Sequence, residues 1–286
     1  MTQPPPAAPA RFETLLASSW ALFTRNWIVA APMFIAALVF IVAIGAFAGI
    51  VIAAAISSGL LAHAEPGAGF IALAVILYLV LLIGGLALGL WALCATFGMA
   101  DAVWERGTAT FADGNAAFRS RAGAMIVALI GVTGLAIVAF ILALPTLGLS
   151  LLALPLFTMY VMPAVVAGGR GGFDAISDSF KLVRWNFVPS IITALVLYAI
   201  SYGISFIALI PIFPLEFAVL PNAGDPSTLQ MPPLPLLFFG GAGYLAAIAL
   251  SLAYQGYYAI ALTGTYRALL AQPPRVAVVP AGPPAV

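Results

Sequence analysis

The side chains of this chain that could do chemistry are few, and most lie on its last two apolar runs. Tyr198, Ser201, Tyr202 and Ser205 recur at three- and four-residue spacing, which places them on one helix face. Tyr244, Ser251, Tyr254, Gln255 and Tyr258 do the same on the following run. Counted from the same end, Tyr198 and Tyr254 lie at nearly equal depth, as do Ser201 and Ser251. Hydroxyls and an amide facing one another in this way have two uses. They can hold a lipid head group or a neutral solute, or they can bond one helix to the other as a packing seam, at ~0.6–2 kcal/mol per bond. Tyr198, Tyr202, Ser205, Ser251, Tyr254, Gln255 and Tyr258 are therefore the candidate ligand-binding residues, with the dry seam as the competing reading.

No residue set points to catalysis, to a metal or to a cofactor. A zinc site takes three or four His, Cys or carboxylate ligands. The chain has one His and one Cys, His63 and Cys94, and they are far apart in sequence. His63 and Glu65 share the short polar segment "SSGLLAHAEPGAG" and read as solvated loop residues. The glycine-rich "GGRGG" at 168–172 is not followed by the Lys-Ser/Thr of a phosphate-binding loop. It reads as a hinge, with Arg170 a solvated cation. Proton- or ion-coupled transport usually leaves ionisable groups inside the membrane, and the apolar runs contain none.

The elements that must carry these groups follow from composition. Of 286 residues, 64% are hydrophobic and 7% are charged, against about 25% charged in a soluble domain. Runs free of Asp, Glu, Lys, Arg and His cover 28–57, 70–99, 122–144, 147–167, 187–210 and 236–264. Each meets the ~20 residues that a helix needs to cross a bilayer. The runs are continuous rather than alternating, which argues against a β-barrel. The first is too long for the core of a cleavable signal peptide. Residues 1–10 and 272–286 are Pro-rich tails that read as disordered, leaving 11–271 as a six-span membrane domain. Net charge is +1, so no nucleic-acid partner is expected.

With six spans, loops alternate sides. One side receives Arg11, Arg25, Arg106, Arg119, Arg121, Arg170, Lys181, Arg184, Arg267 and Arg275, which are all ten basic residues. The other receives His63, Glu65, Glu216 and Asp225. Positive loops stay cytoplasmic, so both termini are expected inside. "GAFAG" at 45–49 and "GLALG" at 85–89 are small-xxx-small patterns on the first two spans. They suggest a contact within that pair of helices, with a homo-oligomer contact as the alternative. Pro155 and Pro163 imply a bent fourth span whose freed carbonyls need partners.

A polar phrase is written twice. "SSWALFTRNW" precedes the first span, and "SDSFKLVRWNF" precedes the fifth. Aligning Ser19 with Ser179 pairs Leu22 with Leu182, Asn26 with Asn186 and Trp27 with Phe187. In the later copy Phe173, Ile176, Phe180, Val183 and Phe187 form an apolar face; in the earlier one Phe12, Leu15, Leu16, Trp20, Phe23 and Trp27 take that role. A weaker third copy, "FADGNAAFRSR", precedes the third span. The fold expected is an all-α membrane protein with six transmembrane helices as three hairpins, each preceded by a cytoplasmic amphipathic segment lying along the interface. The competing reading makes these segments the ends of long membrane helices.

"FETLLASSWALFTRNW" and "PAVVAGGRGGFDAISDSFKLVRWNF", with the closing "TGTYRALL", give the chain a resemblance. It resembles the membrane domain attached to some bacterial glycerophosphodiester phosphodiesterases, which also occurs alone in inner-membrane proteins. The resemblance spans about residues 11–270 and implies a fold and a bacterial inner-membrane location. It does not imply hydrolysis, because the barrel of that enzyme has no counterpart here. Two function classes follow. One is a non-enzymatic protein that organises or regulates lipids or membrane partners, including a second copy of itself. The other is a small transporter or lipid-handling protein that uses the polar faces of the last hairpin.

The charge partition generates a topological prediction. Reporter fusions after Gln272 and within 168–172 report the cytoplasm, and fusions near Ala64 and Asn222 report the exterior. A C-terminus on the exterior side defeats the six-span reading.

Overall fold

The computed structural model describes residues 12–57, 67–210 and 234–271. Both tails and the loops bearing His63, Glu65, Glu216 and Asp225 lie outside these residues. Among those described, every regular element is helical: α1 (Phe12–Arg25), a 3-10 turn (Trp27–Ala30), α2 (Ala31–Ser57), α3 (Ala68–Arg106), α4 (Phe111–Ile141), α5 (Leu149–Thr158), α6 (Val161–Val166), α7 (Gly172–Trp185), α8 (Phe187–Leu209) and α9 (Leu234–Leu270). Among the described residues six stretches are long and apolar enough to cross a bilayer: Trp27–Ser57, Ala68–Arg106, Phe111–Ile141, Leu149–Val166, Phe187–Ile207 and Gly241–Leu270. The chain is an all-α, multi-pass membrane protein.

Breaks between helices fall where the side chains demand them. Asn26 and Asn186 adopt nearly the same backbone angles, φ −128°, ψ 46° and φ −124°, ψ 50°. In both, the side-chain Nδ2 donates to the carbonyl four residues back, Leu22 O at 3.1 Å and Leu182 O at 3.3 Å. Each of these carbonyls also accepts the backbone N–H of the same asparagine at 3.0 Å, so the side chain adds a second bond at the helix end. The middle segment behaves differently. Where Phe118 is aligned with Phe180, Ala124 takes the place of Asn186, and α4 runs unbroken from Phe111 through Ile141. There the segment is the opening turns of the span itself, because alanine has no side chain to end a helix.

The fourth span is two pieces, α5 and α6, separated at Met159–Tyr160. Pro163 cannot donate to the carbonyl of Met159 and its ring crowds it, so the helix opens one turn before the proline. At the other end of the molecule α4 turns back into α5 through 142–148. Gly148 takes φ +82° there, and Ser150 Oγ donates to Ala139 O at 2.6 Å.

The core is concentrated at the end where the described basic residues gather. On α3 the buried side chains run from Ala92 to Val103, and on α9 Tyr254 to Leu269 are largely buried. α9 packs on α1, α2, α3, α6 and α8, and α4 packs on α3 and α7. Toward the opposite end α2 and α3 expose Leu38, Val42, Ile52, Val80, Ile83 and Leu86. Such surface is stable only in an apolar solvent.

Small residues set the helix spacing in the core. A Cβ on Gly98 of α3 would overlap Ala117 of α4, and one on Gly114 would lie 3.0–3.1 Å from Ala95. A Cβ on Gly256 of α9 would meet the backbone of Ala30 at 2.9–3.0 Å. The two glycine patterns singled out in the sequence do not mate. A Cβ at Gly45, Gly49 or Gly89 would meet nothing within 4 Å, and Gly85 alone is covered, by the Phe40 ring. The Phe40 ring packs on Gly85, and α2 and α3 stay in contact through such apolar side chains. They border a lipid-facing cleft of about 450 Å³ lined by residues including Val39, Phe47, Leu77, Val80 and Leu88.

Gly98→Leu is accordingly expected to destabilise the fold by ~1–3 kcal/mol through overpacking at the α3–α4 crossing. Gly49→Leu, facing open space, is expected to leave stability unchanged. Thermal unfolding of the two variants in detergent checks this, and equal melting temperatures would refute the crossing.

Candidate functional site

The polar faces of the last hairpin come together only in part. Tyr254 is buried and its hydroxyl donates to Leu197 O across the α8–α9 contact at 2.6 Å. Its ring lies 6.0 Å from that of Tyr258 and 6.3 Å from that of Tyr257. Tyr198 and Tyr258, with Met159, Ala194 and Leu197, border a void of about 10 Å³, at the lower limit for one water molecule. Tyr202 is 73% exposed on the outside of α8. Ser205 is also exposed, and its hydroxyl donates to Ser201 O within its own helix at 3.0 Å. Ser251 is half-buried, Gln255 faces outward and Tyr244 is half-exposed. Of the seven candidates, Tyr198, Tyr254 and Tyr258 therefore meet, whereas Tyr202, Ser205 and Gln255 do not converge on them and Ser251, half-buried, does not border their void.

A second polar region lies at the basic end. Asp101 and Glu105 are four apart on α3 and share one face. Arg267 of α9 binds both, with Nε 2.8 Å from Asp101 Oδ1, a further Nη2 contact to the same oxygen, and Nη2 2.8 Å from Glu105 Oε1. Trp104 Nε1, between the two acids, donates to Ile260 O at 2.8 Å. Arg106 pairs with Asp113 at 2.8 Å, and the backbone N–H and hydroxyl of Thr110 both donate to Asp113 Oδ2. That carboxylate thus organises the α3–α4 turn, where Gly107 has φ +80° and its carbonyl accepts Asn26 Nδ2 at 3.0 Å. Of these groups Asp101, Glu105, Arg106 and Asp113 line an open cleft of about 370 Å³ together with Ser120 and Arg121. Its charges are spent on one another: Arg121 Nη1 donates to Gly169 O at 3.2 Å, and Arg106 and Arg267 meet carboxylates.

The segment "GGRGG" is packed rather than loose. Gly168 has no room for a Cβ beneath the Tyr266 hydroxyl, and Gly172 would press on Val127 at 2.6 Å. Arg170 pairs with Asp178 at 2.9 Å. The segment delivers α7 onto α4 and α6, and the expected hinge is a fixed junction.

The broken fourth span is sealed by the repeated serine. Ser179 Oγ donates to Phe157 O at 2.7 Å and accepts the Tyr160 N–H at 3.2 Å. Tyr160, fully buried, donates its hydroxyl to Ser190 Oγ at 3.3 Å. The counterpart Ser19 is equally buried but bonds only to Leu15 O of its own helix, at 2.7 Å. Sequence reasoning paired the serines and asparagines without finding these roles. The available signal was their repetition in a chain with few polar residues. The Asp101–Glu105–Arg267 cluster was passed over, although two acids spaced by one helical turn near the end of one span matched a lone arginine near the end of another.

Ser179→Ala is expected to cost ~1–3 kcal/mol, because it leaves Phe157 O and Tyr160 N–H buried without a partner. Ser19→Ala removes only a bond within one helix and is expected to cost less than ~1 kcal/mol. Denaturant unfolding in mixed micelles measures both, and an inverted order would refute the sealing role. Among described residues no group of three or more His, Cys, Asp or Glu is placed to hold a metal. Comparison with family models, with curated proteins and with solved structures finds no match to this chain.

Proposed function

We propose that this chain is a non-catalytic organiser of the bacterial inner membrane, with both termini in the cytoplasm, acting on lipids or on other membrane proteins rather than passing solutes. It is read as three units, each a segment at the cytoplasmic interface followed by a pair of spans. The equal elbows at Asn26 and Asn186 support the kinship of the first and third units, and the unbroken α4 makes the middle one a variant. The resemblance to the membrane domain found with glycerophosphodiester phosphodiesterases is consistent with this reading.

The observation that carries it is the contrast between two spaces. The polar hairpin retains about 10 Å³ and is bridged by the Tyr254–Leu197 bond. The roomy cleft between α2 and α3, about 450 Å³, is lined by apolar side chains and opens toward lipid. A polar solute would need bonding groups along its path, whereas an acyl chain or an apolar helix needs only surface to cover.

Cysteines at 254 and 258, in a Cys94→Ala background, are therefore expected to resist a small membrane-impermeant maleimide from either side, while the exposed Ser177→Cys reacts readily. Leu250→Cys, on an outward-facing position of α9, supplies the comparison for the slow reaction of a thiol in apolar surroundings. One-sided labelling at 254 or 258, faster than at 250, would instead establish a water-filled path and overturn the proposal.

A further inference from the structure

Eight basic side chains are described at the cationic end, and they fall into two groups. Arg106, Arg170, Lys181 and Arg267 each meet a carboxylate, Lys181 at 3.9 Å from Asp178, and Arg121 meets the Gly169 carbonyl. Arg25, Arg119 and Arg184 are exposed and form no ion pair or hydrogen bond among the described residues. All three sit within one helical turn of the start of an odd-numbered apolar run, at 28, 122 and 187. They therefore stand at the depth where hydrocarbon gives way to head groups, one for each odd span.

Their neighbours fit that depth. Trp27, two residues beyond Arg25, is 71% exposed, and Trp185, next to Arg184, is 66% exposed. Amphipathic rings of this kind settle at the boundary between acyl chains and head groups. The α7 surface is divided accordingly. Gly172, Ala175, Ser179, Leu182 and Val183 face the protein, Phe173 is largely exposed with one ring edge on Gly131 of α4, and Asp174, Ser177, Lys181 and Arg184 take the exposed polar face. Asp174 lies in the first turn of α7, where the helix dipole favours it. It stands three turns of helix from Arg184 and does not neutralise it.

We propose that Arg25, Arg119 and Arg184 are contact points for the phosphates of anionic phospholipids in the adjoining leaflet, with Trp27 and Trp185 flanking two of them at the glycerol level. The inference rests on the membrane orientation given under the proposed function. It adds a ligand class, and it assigns three arginines outward while five cations serve the fold. Charge complementarity chooses the occupant: three uncompensated guanidiniums at head-group depth attract an anionic phosphate over a zwitterionic head group by a few-fold each, and a guanidinium can grip a phosphate by two parallel bonds.

The test uses the full chain in vesicles of phosphatidylcholine containing spin-labelled phosphatidylglycerol or spin-labelled phosphatidylcholine at trace level. The fraction of label immobilised by the protein reports relative affinity. The intact chain is expected to prefer phosphatidylglycerol severalfold, and the preference is expected to shrink as salt screens exposed charge. Arg25→Gln/Arg119→Gln/Arg184→Gln is expected to bring the ratio to about one with an unchanged melting temperature, because the three side chains are exposed. Arg170→Gln removes one charge from an internal pair and is expected to leave the ratio in place. Loss of preference in Arg170→Gln equal to that in the triple variant would reduce the effect to bulk charge and overturn the proposal. So would a triple variant that keeps the preference, or displacement of the lipid by millimolar inorganic phosphate. If the triple variant unfolds, the three single variants are measured, each expected to lose part of the preference; none doing so overturns the proposal. Maleimide access at 254 and 258 is independent of this readout, so the two proposals fail separately.

Discussion

A backbone inside hydrocarbon has no water to bond, and the fourth span is where this constraint is hardest to meet. Pro163 opens the helix, and the groups so exposed lie in the interior of the bundle. Ser179 answers with one hydroxyl that donates a hydrogen bond to Phe157 O and accepts one from the Tyr160 N–H. That pair of bonds fixes the depth at which α7 lies against the break. The depth of α7 then sets the packing of "GGRGG" beneath Tyr266 and against α4, and the point at which Asn186 ends α7 and lets α8 begin. The sequence cost is small, one serine and one asparagine, but each must stand at a fixed distance from the proline.

The rest of the core is held by close approach rather than by bulk. Between helices in lipid there is no hydrophobic gain from excluding water, so contact area and shape decide. Gly98, Gly114 and Gly256 let backbones meet at α3–α4 and at α9 against the 3-10 turn. Ion pairs then fasten the same helices at their ends, where water is near. Arg267 joins α9 to α3 through two carboxylates, a geometry that a lysine, lacking the planar fork, would not reproduce. Burial falls toward the opposite end, where α2 and α3 pack on each other and turn most of their side chains to lipid.

The six spans were legible because length and hydropathy suffice to mark them, and the described helices differ from the expected runs mainly at their ends. The fine structure was harder to read for a physical reason. In water the apolar face of a helix is the buried face. In a bilayer both lipid and protein accept apolar side chains, so periodicity marks the polar face and cannot divide the remainder. Phe173, part of the apolar face read from the sequence, is 67% exposed with only a ring edge on Gly131 of α4, whereas Ala175 and Ser179 are fully buried. The tyrosine faces on α8 and α9 were equally visible as a pattern. Which hydroxyls meet depended on helix rotation, which put Tyr254 on Leu197 O and left Tyr202 outside. The middle segment followed its local sequence once the alanine at 124 was weighed against the asparagine at 186.

The contacts of α9 have a consequence for how the molecule is made. The first elbow is complete only when Asn26 meets Gly107 and when Ala30 receives Gly256, so the earliest part of the chain waits for nearly the last. The seat that α1, α2, α3 and the 3-10 turn offer α9 is therefore incomplete until α9 joins them. Insertion of the earlier spans and closure of the core around α9 are thus separable events. A truncation near the C-terminus would leave its mark at the N-terminal elbow, at the other end of the sequence and in the same place in space.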